Sequence, residues 1–535
     1  MTSDLVPDTA SEILAGYHKG EFSPREIVSR TLERIAAVNP VINAHWHTTS
    51  DAAIDAATQS TERWRAGAPR PLEGIPVGVK DVIDVAGHPC TGGSSIYLGR
   101  RAQTDATVVA RLRAAGAIVV TKDATTEFGI GGPLNPSFGP TRNPWNLQHW
   151  TGGSSCGAAA GLAAGTIPLA VGTDAGGSVR MPAAWSGVVG LKPTMGRVSR
   201  RGVMPCSWHA EVVGPMARTV SDASRLLNII AGFDPHDPRT VPADYEPTHS
   251  AVDVRSLRIG IAPEWWESLV DSATARAVAD ATDIFRDAGA QIIPLTGLPP
   301  ARELHDLSYE IVFAEASWVH ESHANHHDSM DPVTVRRLGT GRGVAAAAYF
   351  ELLQRRADAQ RRTYAALDPV DVLLTPTTVT TAPRLDQLEL TIDNETVPLH
   401  HGYALLTAHA NLTGFPALAV PAGLTTAGMP LSIQFTARPW NENACCRAGH
   451  AFERLSRQTP LAPDLTLLKG GPTMTRVRAD GAMTDSAYLS GRLDPGGVDP
   501  FLGPLANGLS QSHVPAQEPI PSLHRRRRRA TRPDR

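Results

Sequence analysis

Between residues 11 and 66 apolar positions recur at helical spacing, and Ile27, Thr31, Ile35 and Val38 fall on one helical face. That pattern predicts amphipathic helices packed on a core. Ser23-Pro24-Arg25-Glu26 supplies a start, with a side-chain cap followed by Pro at the first helical position. Asn39-Pro40 is expected to end that helix. From Pro71 the texture changes to short apolar runs punctuated by glycine. Ile75 to Val79, Ala117 to Val120 and Ile167 to Val171 read as strands, with helices at Ala106 to Ala115 and Ala158 to Ala164 between them. The second half continues with strands at Leu257 to Ile261, Val372 to Leu374, Ala417 to Val420 and Leu431 to Phe435, and helices at Ala273 to Asp287 and Ala345 to Leu367. This alternation predicts an α/β layer fold.

No shift in composition marks a linker between Pro71 and Lys469, so residues 7–469, the helices of 11–66 included, are expected to form a single domain. Residues 470–535 lack periodic apolar positions, are rich in Gly, Pro, Ser and Asp, and end in His524 and Arg525 to Arg529. They read as a disordered Arg-rich tail, solvated rather than bound to a polyanion. The chain has 535 residues, 42% of them hydrophobic, enough for a large core. Its 50 Lys and Arg against 53 Asp and Glu offer no field for nucleic acid or an anionic membrane. A small-molecule substrate is therefore expected, with neither nucleic acid nor membrane as a partner and a homodimer left open. The first ten residues carry Asp4 and Asp8 and no apolar signal core, and no run approaches the roughly 18 apolar residues of a membrane span, so the expected location is cytoplasmic. Cys90, Cys156, Cys206, Cys445 and Cys446 are scattered without a Cys-x-x-Cys pair, which suits a reducing compartment and gives no disulfide framework or zinc site.

The candidate chemistry lies in two glycine-serine loops, Thr151-Gly152-Gly153-Ser154-Ser155-Cys156-Gly157 and Gly172-Thr173-Asp174-Ala175-Gly176-Gly177-Ser178-Val179-Arg180. Attack on a carboxyl derivative needs a nucleophile on an approachable turn and N–H donors aimed at the developing oxyanion. Gly176-Gly177-Ser178 meets both needs, with the amides of Ala175, Gly176, Gly177 and Ser178 as a candidate oxyanion hole. An ordinary glycine turn is the plainer reading of either loop alone, and the Gly-Lys-Ser/Thr ending of a phosphate loop is missing. No Gly-x-Ser-x-Gly elbow surrounds Ser178, and His149 is the only histidine near either loop. Lysine is the other available base if burial keeps it neutral. Lys80, at the end of an apolar strand, fits that demand, although a lone lysine there is more often a surface residue.

In order along the chain, Gly78-Val79-Lys80-Asp81, Gly152-Gly153-Ser154-Ser155, Gly172 to Ser178 and Gly190-Leu191-Lys192-Pro193-Thr194 resemble the amidase signature family. The likeness continues through Thr141 to Asn146, Gly214 to Val220 and Leu412 to Pro416, and covers most of residues 10 to 460. It implies a mixed central β-sheet covered on both faces by α-helices. It also implies a triad in which Ser178 attacks, Ser154 shuttles a proton and neutral Lys80 is the base, with a cis bond at Gly153-Ser154. Ser155, Asp174 and Arg180 match positions that support the loops. Cys156 stands where many members have glycine; without a thiolate-stabilising partner it is not read as the nucleophile. His320, His323, His326 and His327 are read as pocket-wall residues rather than a metal site, and no cofactor is implied.

The expected function is hydrolysis of a carboxylic amide, with esters and carbamates as further candidates, through an acyl-enzyme on Ser178. Ile130, Gly131 and Trp208 are expected to touch substrate, together with Ala316, Trp318 and Ala345 to Ala348, and to favour neutral apolar or aryl amides. One alternative is the glutaminase subunit of an aminoacyl-tRNA amidotransferase complex. Such subunits place an acidic residue upstream of Asn411-Leu412-Thr413-Gly414, where this chain has Tyr403-Ala404-Leu405-Leu406. The other alternative is a non-catalytic protein that binds polyanions through the Arg-rich tail.

Overall fold

The structure, a computed structural model, describes residues 9–243, 245, 253–387, 389–392, 395–456 and 461–465. The tail expected at 470–535 lies outside them. Eleven strands form the main sheet: β1 (His45–Thr48), β2 (Pro76–Lys80), β3 (Ile118–Asp123), β4 (Leu169–Asp174), β5 (Val189–Lys192), β6 (Val212–Ala217), β7 (Arg258–Ile261), β8 (Gln291–Pro294), β9 (Val372–Pro376), β10 (Ala417–Leu424) and β11 (Pro430–Thr436). Their spatial order is β1-β3-β2-β4-β6-β5-β10-β11-β9-β7-β8. The sheet is mixed: β2 runs parallel to β3 and β4, and β9 to β7, whereas β6, β5, β10 and β11 pair antiparallel.

Both faces are covered because successive strand residues point to opposite sides. In β4, Leu169 and Val171 join one core with Val109, Leu112, Leu226, Phe285 and Phe452, while Ala170 between them joins a second core with Val28, Ala57, Ala159 and Ala183. The helices Thr107–Ala114, Val220–Ile230, Ser272–Asp287 and Glu442–Ser456 thus lie on one face, and Pro24–Ile42, Ser50–Arg65 and Cys156–Ala163 on the other. Near-continuous apolar runs such as Val189–Lys192 follow from burial on both sides.

Two local expectations need correction. Pro40 does not end the second helix, which runs from Pro24 to Ile42 and is closed by Asn43 in the left-handed region at φ 52. Proline in a last turn forfeits a single backbone bond, and Asn39 restores order by accepting the amides of Ala44 and His45 at 2.8 Å and donating to the His45 carbonyl at 2.7 Å. That turn then delivers β1, an edge strand antiparallel to β3, inside a stretch expected to be helical throughout.

Candidate active site

Lys80 ends β2, and the neighbouring parallel strand β4 ends in Thr173 and Asp174. Their register, Val79 opposite Val171, brings the two carboxyl ends together, where open α/β sheets present ligands. Lys80 Nζ donates to Thr173 Oγ1 at 2.8 Å and to Ser154 Oγ at 2.6 Å. Ser154 stands at the start of the helix Cys156–Ala163, all eight residues of which are buried, and the Gly153-Ser154 peptide is cis. The amide of Ser155 donates to the Ser178 carbonyl at 3.1 Å, and its hydroxyl to the Thr173 carbonyl at 3.2 Å. The two serine loops are therefore tied together through Ser155. Ser154 and Ser178 line one pocket; Lys80 and Ser154 are buried, and Ser178 is partly open.

Asp174 organises the second loop. Its carboxylate accepts the amides of Gly177 at 2.8 Å and Val179 at 3.1 Å, and the Arg180 guanidinium through Nε and Nη2, both at 3.1 Å. Arg180, wholly buried, also donates to Gln434 at 2.7 Å and Asn411 at 2.6 Å. Neither Asp174 nor Arg180 reaches the pocket wall. One expected oxyanion donor is corrected by this geometry: the Gly177 amide is spent on Asp174, and the pocket is lined by Ala175, Gly176 and Ser178 without it. Gly177 sits at φ 129, where a side chain would be strained and would meet Thr407.

Burial pulls Lys80 down from 10.5 to about 8, against the attraction of Glu211 and then of Cys156, Cys206 and Asp174. A neutral amine is thus accessible near neutral pH. Burial works to raise Asp174, but Arg180, Lys192 and Asn411 outweigh it and hold the carboxyl well below the usual range. Cys156 is buried, its thiol pushed up by burial and bonded to the Ala124 carbonyl at 3.3 Å. It is a packed thiol.

The remaining pocket wall is Thr126, Gly129, Ile130, Gly131, Trp150, Gly153, Tyr309, Val312, Arg337 and Tyr403. Of the residues expected to touch substrate, Ile130 and Gly131 are in this wall. Trp208 is not: it is half exposed, beneath Arg200 and Arg239. Trp318 is 79% exposed and Ala345 to Ala348 lie open on a helix start, because their helices turn these faces to solvent. Ala316 is buried behind the wall, and His320 stacks on Phe128 at 4.2 Å rather than facing the pocket. Sequence reasoning missed Thr173, Tyr309 and Arg337. A threonine in an apolar strand beside Asp174 was a usable signal; Tyr309 and Arg337 come from helices with no motif around them.

The family model described as Amidase matches residues 26–446, most of the chain. The chain belongs to the amidase signature family. Among curated relatives, a glutamyl-tRNA(Gln) amidotransferase subunit of Chloroflexus aggregans is 36% identical over 477 residues, 83% of this chain and 96% of the relative. Among solved structures, a bacterial aryl acylamidase of the amidase signature family superposes with a TM-score of 0.77 at 27% identity, covering 84% of this chain and 96% of that one. The corresponding glutamyl-tRNA(Gln) amidotransferase subunit of Thermotoga maritima gives 0.67 at 30% identity, covering 81% and 91%. Membership establishes amide C–N chemistry as the reaction class. It also overturns one expectation: balanced charge does not exclude nucleic acid from the family's business, since relatives matched over nearly their whole length are named for glutamyl-tRNA(Gln). Net charge is a whole-chain average, blind to a partner that carries the RNA. Among the described residues no helix is long and apolar enough to cross a membrane.

Proposed function

We propose that this amidase hydrolyses a carboxylic amide through an acyl-enzyme on Ser178, with Ser154 as proton shuttle and Lys80 as base. Neutral Lys80 draws the proton of Ser154, which draws that of Ser178 as its oxygen attacks the carbonyl carbon. The amides of Ala175, Gly176 and Ser178 hold the oxyanion. The proton returns along the same path to the leaving nitrogen, the C–N bond breaks, and water then releases the acid. The observation that carries this reading is the 2.6 Å contact of buried Lys80 with Ser154 in the pocket that also holds Ser178.

The proposed substrate has an apolar or aryl group and no free ammonium. Ile130, Trp150, Tyr309, Val312 and Tyr403 line the pocket, and among the described residues no carboxylate does. Burying about 150 Å² of ring contributes roughly 4 kcal/mol, whereas a buried ammonium without a partner is costly. The greater structural likeness to the aryl acylamidase supports the same choice. A second reading, the glutaminase component of a tRNA-dependent amidotransferase, draws on the curated relatives and on Arg337, a buried cation in the wall suited to a substrate carboxylate. Comparing kcat/KM for an anilide with that for glutamine decides between them. The anilide is expected to be faster by at least tenfold; faster glutamine turnover, or activity only after a partner protein is added, would establish the second reading.

A further inference from the structure

About one helical turn beyond the pocket lies a cluster of arginines that the reaction does not use. The helix Ala301–Val319 gives Tyr309 and Val312 to the pocket and, three residues on, Glu315 to this second locus. Arg239 and Arg356 both direct Nη2 at the sulfur of Met195, at 2.5 and 3.9 Å. Arg200 and Arg239 both lie over the indole of Trp208, 5.4 and 5.0 Å from its centroid. Among the described residues, none of the three guanidiniums has a carboxylate within 4 Å. Arg200 Nη1 also donates to the Ser207 carbonyl at 2.8 Å and Arg239 Nη1 to the Trp208 carbonyl; the remaining contacts, a thioether and an aromatic face, are weak partners for groups that prefer planar oxyanions.

The nearby acids are already engaged elsewhere. Asp237 accepts the backbone amides of Arg200 at 2.7 Å and Arg239 at 3.0 Å. Glu315 accepts from Ser207, the amide and ring of His209, and Tyr349. Burial, and then the repulsion of Arg200 and Arg356, pull Arg239 down to about 10 against the attraction of Glu315 and Asp237. The locus touches the reaction centre through one short path: Arg356 donates to the His209 carbonyl at 3.4 Å, and the next carbonyl, Ala210, accepts Asn411, which also holds Asp174.

We propose that Arg200, Arg239 and Arg356, with Trp208 beside them, form a binding site for a phosphate monoester next to the active-site pocket. Three guanidiniums offer more N–H donors than the two oxygens of a carboxylate can accept, and the three terminal oxygens of a monoester match them. The half-exposed Trp208 offers an aromatic surface for a ring carried on the same ligand.

Calorimetric titration of the full-length chain with phenyl phosphate, at ionic strength held constant with chloride, tests this. Saturable one-to-one binding is expected, weakened at least about tenfold by Arg239→Gln and by Arg356→Gln and unchanged by Ser178→Ala. Arg239→Lys, which keeps the charge but loses the fork, is the fallback if the glutamine variants fail to fold, and should also weaken binding. Inorganic phosphate binding as tightly as phenyl phosphate would support the arginines and remove the role of Trp208. No saturable binding above the chloride background, or binding indifferent to the arginine substitutions, would overturn the proposal. So would an oligodeoxynucleotide that binds through the same arginines more tightly than phenyl phosphate, since its phosphodiesters are not monoesters.

Discussion

A lysine serves as a base only in the pH range where it has lost its proton, and at Lys80 the protein moves that range. Burial lowers its pKa to about 8, with Glu211 opposing. The sign follows directly: the ammonium that dominates below 8 cannot accept a proton, so kcat/KM should fall about tenfold per pH unit below 8 and level off above it. Lys80→Ala should cost roughly 10²-fold or more with the fold retained. A pH profile flat from 6 to 9, or a variant keeping over about a tenth of activity, would speak against a base role. At this scale Lys80, Ser154 and Ser178, the proposed triad, were picked out by the order of the motifs that resemble the amidase signature family, since the glycine loops and the apolar run alone left plainer readings open. Arg337 was not, since its place in the wall comes from the helix Pro332–Gly341 packing on the helix Ala301–Val319, a contact made more than 120 residues from either serine motif. Trp208 misled because a bulky aromatic in a loop says nothing of the side it faces.

Among the elements, the short helix Ala408–Thr413 carries more of the site than its length suggests. Just before it, Thr407 Oγ1 donates to the Gly176 carbonyl at 2.7 Å, and Asn411 within it donates to the Asp174 carbonyl at 2.9 Å. These bonds fix the turn whose residues Ala175, Gly176 and Ser178 line the pocket. Thr407→Val, an isostere without the donor, should lower kcat by about tenfold to 10²-fold with KM nearly unchanged, because a displacement near 1 Å at reacting groups has that consequence. Thr407→Ser should restore most of kcat. Equal losses in both variants would assign Thr407 to packing alone. Elements with strong periodicity, such as Ser272–Asp287 and Pro430–Thr436, were readable within a residue or so of their ends. The edge strand β1 was not, because His45–Thr48 has no alternation of its own and is held by pairing with β3.

Across the whole molecule, the sheet with a core on each face was legible from alternating runs, whereas strand order was not, since β4, β6, β5 and β10 become neighbours only through long connections. Residues 470–535 carry no periodic apolar positions. A chain ending at residue 469 should therefore keep its melting temperature and kcat/KM within error, as a sequence without periodic apolar positions is expected to contribute little to a core. Loss of folded protein on truncation would show that the segment packs on the body.

The central claim is that one serine becomes acylated while a second, held by a buried lysine, passes the proton. Intact-mass analysis after treatment with a fluorophosphonate, followed by peptide mapping, tests it most directly. One adduct on Ser178 is predicted, absent in Ser178→Ala and formed at least 10²-fold more slowly in Lys80→Ala. Labelling of Ser178→Ala at the wild-type rate, or an adduct mapping to Ser154 or Cys156 in the unaltered chain, would contradict the account.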